Sequence, residues 1–353
     1  GGIEGGIPAA QAKASAVLSG LLSVRALNPR IRAANLGLPD LPVTGLPVGL
    51  AYQTMGKLSA LSDNGSRYGL IQKWFDLFAR LQTKDAQNAY GDDQEAFIAS
   101  NIADGNTRWN VIANSVSNTS MIVDLGQDYS QVPAFANLSP PLQQVLVFLQ
   151  QNTPLGTRIT LNVDQWDGFP QRRQDLLRRY RSAGNVVIVA GDIHSSWVTD
   201  HSDASQGPLF EFTGPAISSS SFAQLIGNTL TSTAGTIGLP PDVVDGLSAL
   251  LPELTAALNA FLVDRDPSSV FRQLAQDIRF VDTDRNGIVV VEASSDLFTT
   301  TYYLLQPADV RESYYNRRNA GLAKFKKRVF EIRHGRLTAP RSDPLIGEPP
   351  IRY

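Results

Sequence analysis

Residues 185–190 read NVVIVA, and Gly191, Asp192, Ile193 and His194 come next without a break. A short run dominated by β-branched apolar residues suits a strand covered on both faces, which commits this part of the chain to the interior of a sheet. Residues 171–182, just upstream, have helical spacing and are rich in Arg, so the two segments form a helix–strand unit. Gly191 permits a tight turn at the strand end, and Asp192 and His194 come after it with one residue between them. Donors at i and i+2 on extended backbone can converge on one metal pair from the mouth of a sheet, where open α/β folds place their sites. Taken alone, the same residues also describe a strand end with an ordinary turn Asp and a surface His.

Around this unit the chain reads as alternating elements. Helical spacing over 9–27 gives way to a proline- and glycine-punctuated loop at 36–49, then returns over 68–81. Residues 91–103 predict a short amphipathic helix, and 107–113 a buried strand running into a polar loop at Asn114. The serine-rich segment 213–222 leads into a stretch of low charge, about 223–265, that is mostly helical in pattern. Residues 278–281 and 288–293 predict a β-hairpin about a turn at 282–287, with a third strand at 299–305. The turn sequence DTDRNG imitates the first half of a calcium loop, but its twelfth position is Ala293 rather than a bidentate Glu, so it reads as a turn. The basic residues at 324–328 read as the solvated face of a terminal helix.

Composition excludes more than it assigns. Lys and Arg number 31 against 33 Asp and Glu, a net charge of -2 that makes no electrostatic case for nucleic acid or an anionic membrane. With no Cys in 353 residues, disulfides, thiolate metal sites and a cysteine nucleophile are excluded, and any metal is held by oxygen and imidazole. No apolar run approaches the roughly 20 residues of a membrane-spanning helix. The opening residues GGIEGG read as an internal segment, so the sequence is expected to be part of a longer product. His201 and His334 have no ligand-like pattern around them and read as surface residues.

Residues 185–197 resemble the last metal motif of the calcineurin-like metallophosphoesterases, in the G-D-x-H form that marks the PhoD-like phosphatases. Other segments are similar in the same order. Residues 164–173 (DQWDGFPQRR) resemble the W-D-G-Y-P-x-x-R segment, and 90–95 and 108–114 resemble a helix ending Q-x-x-W-L and a W-K-V-I-A-N-Q strand. Residues 210–218 (FEFTGPAIS) resemble E-F-x-x-P-x-I-S, and 287–291 occupy the place of a closing G-Y-x-V-V strand. Earlier family motifs, a strand ending in G-D and a D-D-H-E segment, have no counterpart.

The resemblance implies an α/β fold of the calcineurin-like metallophosphoesterase type, a layered β-sandwich flanked by helices, here with its N-terminal strands missing. Residues 1–56 are then a lead-in, 57–310 the C-terminal part of the phosphatase domain with its insertion, and 311–353 a basic helix and tail. It implies hydrolysis of phosphomonoesters or phosphodiesters by a metal-activated hydroxide, with iron and calcium as metals. Asp192, His194 and Asn114 are the implied ligands, and Asp164, Asp167 and Trp166 stand behind them or line the substrate mouth. Small phosphoesters would be the partners, and a periplasmic, secreted or cell-surface location would result from export. A two- or three-donor set cannot hold a metal pair by itself. The competing expectation is a non-catalytic binding or surface protein that kept the fold and lost its upstream ligands.

Overall fold

The structure, a computed structural model, describes most of residues 90–124, 135–144, 165–227 and 276–342, with short pieces at 21–23, 49–51, 158–160 and 249–263. Residues 21–23, inside the stretch 9–27 that reads as helical, form a strand instead, because they pair with 49–51. Most of that stretch, the helical reading at 68–81, the loop up to residue 48 and Asp164 lie outside the described residues. Among the described residues, two helices and thirteen strands carry the architecture, with two shorter helices near the C-terminal end. Strands β1 (Leu21–Ser23) and β2 (Gly49–Ala51) pair with each other, as do β4 (Ile122–Asp124) and β5 (Arg158–Thr160). The main sheet has five strands, β3 (Asn110–Val116), β6 (Val186–Gly191), β8 (Phe210–Thr213), β7 (Ser196–Asp200) and β9 (Asp277–Asp282), in that spatial order. β3, β6 and β8 run parallel, while β7 is antiparallel to both of its neighbours. A second, antiparallel sheet runs β10 (Asn286–Ala293), β11 (Phe298–Leu305), β12 (Lys326–Arg333), β13 (Arg336–Ser342).

The alternation within β6 decides the layering. Val187 points to one face and packs with Phe210, Phe212, Phe280, Tyr302 and Phe330, joining the two sheets into a sandwich. Val186 and Ile188 point to the other face, against Leu176, Leu177 and Tyr180. Those three belong to helix α2 (Pro170–Ala183), which begins with proline at its first position, where the missing N–H costs nothing. Its buried stripe is Arg173, Leu176, Leu177, Tyr180 and Arg181, the spacing of one helix face. Gly184 stops it at φ 77, a left-handed position that glycine adopts without strain. Helix α1 (Asp92–Ala103) lies on the same side, with Ile102 buried and Glu95 paired to Arg172 of α2 at 2.6 Å.

The strands expected at 107–113 and 185–190 are both present and pair with each other, at 110–116 and 186–191, but four expectations change. β3 is half-exposed and lies at the edge of its sheet among the described strands, with Val111 exposed, because only one of its faces meets α1 and α2. β9 and β10 do not form a hairpin: β9 pairs with β7 in the first sheet and β10 with β11 in the second. Asp282 Oδ1 accepts from the N–H groups of Asp284 and Arg285 and turns the chain from one layer to the other. The described helices cover one face of the main sheet, since the second sheet occupies the other. The basic run at 324–328 enters a strand, not a helix. Arg328, Phe330 and Ile332 alternate inward along β12, and the helical structure described in this region is limited to α3 (Pro307–Val310) and α4 (Arg318–Leu322).

Candidate functional site

The parallel strands β3 and β6 end together, Val116 opposite Gly191, so the residues beyond them share one edge of the sheet. After Gly191 the backbone closes in three residues: Ile193 N–H donates to Gly191 O at 2.9 Å, and Asp192 between them has φ 73. That is the geometry of a γ-turn in its rare, strained form. His194 is also left-handed, at φ 55. Together with His334, these are the non-glycine residues of positive φ among those described. Strained positions of this kind concentrate at sites of function. Ile193 buries its side chain against Met121, Trp197 and Phe222, which anchors the turn and leaves exposed Asp192 and half-buried His194 on either side of it.

The loop after β8 fixes the imidazole. His194 Nδ1 lies 2.7 Å from Ser220 O, and Phe222 N–H donates to His194 O at 3.0 Å. A carbonyl only accepts, so Nδ1 carries the hydrogen and Nε2 of the neutral ring offers its lone pair. A ring nitrogen tied to a backbone carbonyl, with the other one open, is the arrangement in which histidines bind metals. The donor chemistry of Asp192 and His194 therefore fits a cation, as part of a coordination sphere. No group of three or more His, Cys, Asp or Glu suited to an ion occurs among the described residues.

Asn114 lies within β3 rather than after it, in the irregular stretch between Ala113 and Val116 that faces the end of β6. Its Oδ1 accepts from Tyr90 Oη at 3.0 Å, and its buried Nδ2 has no partner among the described residues. Trp166 does not line a mouth. It is 1 % exposed and packs edge-on against Tyr90, with ring centroids 5.0 Å apart. Asp167 is buried too, and it holds the loop beyond β3. It accepts from Ser120 Oγ, from Met121 N–H at 2.8 Å and from Gln165 Nε2. Burial pushes its carboxyl up, against the opposing pull of the Arg173 guanidinium and these hydrogen bonds.

That loop, residues 117–121, is buried, and buried loop backbone must find partners. Ser117 Oγ and Asn118 N–H donate to Glu211 Oε1 at 2.7 and 2.8 Å, Arg173 donates to Asn118 O, and Gln276 bridges Ser120 N–H and O. Glu211, on β8, is wholly buried, and its other oxygen meets His201 Nε2 at 3.0 Å. His201 is therefore core rather than surface, because the β7–β8 pairing places it over the strand that carries Glu211. Burial pushes the Glu211 carboxyl up, but the hydrogen bonds from His201, Ser117 and Asn118 outweigh it and hold the group below its ordinary value. Burial also lowers His201, more than Glu211 raises it.

These shifts make stability depend on pH. His201 supports the fold above its ordinary value of 6.5 and Glu211 above 4.5, and both contributions are lost as pH falls through the lower folded values. Asp167, raised, acts oppositely: its contribution is present in acid and lost as pH rises. The melting temperature is thus expected to fall as pH drops from about 7 to about 5, and His201→Gln to flatten the profile in that window. Thermal melts of both proteins across that range check this.

His334 is exposed at the β12–β13 turn, as expected. It lines a cleft of about 280 Å³ with Arg108, Trp109, Asn185 and Phe210. Asn185 precedes β6, so this cleft lies at the opposite end of the strand from Asp192. Glu211, Ser220 and the loop at 117–121 escape a reading of the sequence. A charged residue inside the apolar strand FEFT is the signal that points to them, because a buried carboxylate requires partners.

A model of the PhoD-like phosphatase family matches residues 76–302, well over half of the chain. The chain belongs to that family. It is also similar to alkaline phosphatase D of Bacillus subtilis (strain 168), 24 % identical over 145 residues that cover 40 % of this chain and 18 % of the relative. A solved structure described as the structure of PhoD aligns at a TM-score of 0.40 and 15 % identity, covering 76 % of this chain and 38 % of that one. The chain spans less than half the length of either relative. The family match encloses Asn114, Asp167, Asp192, His194 and Glu211.

Proposed function

We propose that the chain is the C-terminal part of a metal-dependent phosphoester hydrolase, acting on phosphomonoesters or phosphodiesters. The observation that carries this is the strained turn at the end of β6, which presents Asp192 and a His194 whose Nε2 is open. Asp192 Oδ and His194 Nε2 are the proposed donors to the metal, with Asn114 Oδ1 as a third through the lone pair that Tyr90 does not use. Carboxylate and amide oxygens beside an imidazole suit a mixed set of hard and borderline cations, such as the calcium and iron of the family resemblance. The metal, when bound, supplies Lewis-acid stabilisation of charge on the phosphoryl oxygens. The residues of this chain do the positioning. Ile193 and Ser220 fix the two donors, while Glu211 and Asp167 set the loop beside them. Asp167 thus acts from behind the site, and Asp164 is proposed alongside it.

The remaining donors are proposed to come from the rest of a longer protein. The lead-in at 1–56 and the phosphatase part at 57–310 are the proposed domain plan. An extracytoplasmic location is proposed on the family resemblance, and the absence of Cys agrees with it. Among the described residues, no helix is long and apolar enough to cross a membrane.

The chain alone should bind Mn²⁺ weakly at this turn and hydrolyse an aryl phosphate no faster than buffer containing the same metal. In NMR spectra recorded with increasing Mn²⁺, the His194 ring and the Asp192 amide should broaden first. Broadening centred elsewhere, or metal-dependent turnover by these residues alone, would place the site somewhere else.

A further inference from the structure

The turn sequence DTDRNG, which lacks the bidentate Glu of the calcium loop it imitates, has a partner in the fold. Asn286 opens β10 and is 2 % exposed. Its Nδ2 donates to Ser219 O at 2.8 Å and to Ala216 O at 3.2 Å. Because both contacts are carbonyls, the amide can face them only with its nitrogen. Gly287 N–H donates to Ala216 O as well, at 3.0 Å. Gly287 cannot carry a side chain, since a Cβ there would lie 2.1 Å from Tyr303 O. On the other side of the turn, Ala223 N–H donates to Thr283 O at 2.9 Å. The loop from β8 is therefore clasped at Ala216, Ser219 and Ala223 by residues 283–287.

The carbonyl next to Ser219 is the one that holds His194. We infer that Asn286 is a positioning residue for the metal site: by holding Ser219 O it aims Ser220 O at His194 Nδ1, which keeps the hydrogen on that nitrogen and Nε2 open toward the cation. This rests on the proposed role of His194 as a ligand. The clasp joins the second sheet of the sandwich to the mouth of the first, so the layer crossing at 282–286 has a task beyond connection. A side-chain amide suits it because it offers two hydrogens from one nitrogen, enough for two carbonyls three residues apart.

The test is the imidazole tautomer, read from ¹⁵N–¹H long-range correlation spectra of the chain at about pH 8, where an ordinary histidine is neutral. Wild-type His194 should be the Nδ1–H form. In Asn286→Ala and in the isosteric Asn286→Asp, the Nδ1–H population should drop by at least roughly half. Mn²⁺ affinity at His194 should fall about 10–100-fold, the usual loss for a partner standing behind a ligand. A purely structural role would lower the melting temperature and leave the tautomer of the folded fraction alone. Nδ1–H persisting in both variants overturns the inference, and so does an Nε2–H ring in the wild-type chain, a measurement that needs no variant to fold. If the tautomer responds to Asn286 while Mn²⁺ never reaches His194, the positioning stands and the metal reading falls.

Discussion

Glu211→Ala is expected to destabilise the fold by about 3–5 kcal/mol, because several buried donors lose their common acceptor at once. The carboxylate accepts from Ser117 Oγ, Asn118 N–H, His201 Nε2 and Thr213 Oγ1 with no exposure to water. Truncation leaves Ser117 Oγ, the Asn118 N–H and His201 Nε2 buried without this acceptor, while Thr213 Oγ1 can still turn to Ser117 Oγ, and each orphan costs about 1–3 kcal/mol before any relaxation. It also leaves Arg173, a cation whose pKa burial lowers despite the opposing pull of Asp167 and Glu211, with one carboxylate fewer. Glu211→Gln separates charge from shape. Its Oε1 can still serve Ser117 and Asn118, while its amide meets the Nε2–H of His201 unless the ring changes tautomer. That change would move the hydrogen to Nδ1, which is buried and has no partner among the described residues. A loss of about 1–2 kcal/mol is expected for Gln, close to that of a single hydrogen bond. Urea unfolding of the two variants checks the order; equal losses would mean that the charge of Glu211, rather than its shape, holds the loop.

The features legible in the sequence are local ones. Residues 185–190 announce a strand through their own side chains, and Gly191 announces the turn, so the position of Asp192 and His194 at a sheet edge is legible. The strain at those two residues is not, because a positive φ in Asp or His leaves no mark in the sequence. Non-local pairing decides the other differences. The turn at 282–286 looks like the middle of a hairpin, but β9 finds its partner in β7, about eighty residues earlier, and β10 finds β11 in the other sheet. Charge misleads at β12: Lys326, Lys327 and Arg328 suggest a solvated helix, while the two-residue alternation of Arg328, Phe330 and Ile332 behind them is the stronger signal. His201 looks like a lone histidine because its partner lies ten residues on. Only the antiparallel pairing of Asp200 with Phe210 shows that the two strands bring it to Glu211. Asn286 is hidden inside the imitation of a calcium loop, although its contacts reach back to the most legible motif in the chain.

The larger effect belongs to the site. In the longer protein proposed above, His194→Ala would remove the proposed imidazole donor that Ile193 and Ser220 hold in place, and Asp192→Asn would replace a carboxylate by a neutral amide on the same strained turn. Loss of an outer partner typically costs 10–100-fold in metal affinity or activity, so loss of a donor itself is expected to cost on the order of 100-fold or more. Stability should hardly change, because Asp192 is exposed and His194 half-buried, and neither contributes to the three apolar clusters of the core. The measurement that bears most directly on the metal assignment is therefore metal content by atomic emission, taken beside phosphatase rate and a circular-dichroism melt, for wild type, Asp192→Asn and His194→Ala of the longer protein. Metal content and rate should fall together in both variants while the melting curves overlay that of wild type. Full metal content and wild-type rate in either variant would contradict the assignment of these two residues as ligands.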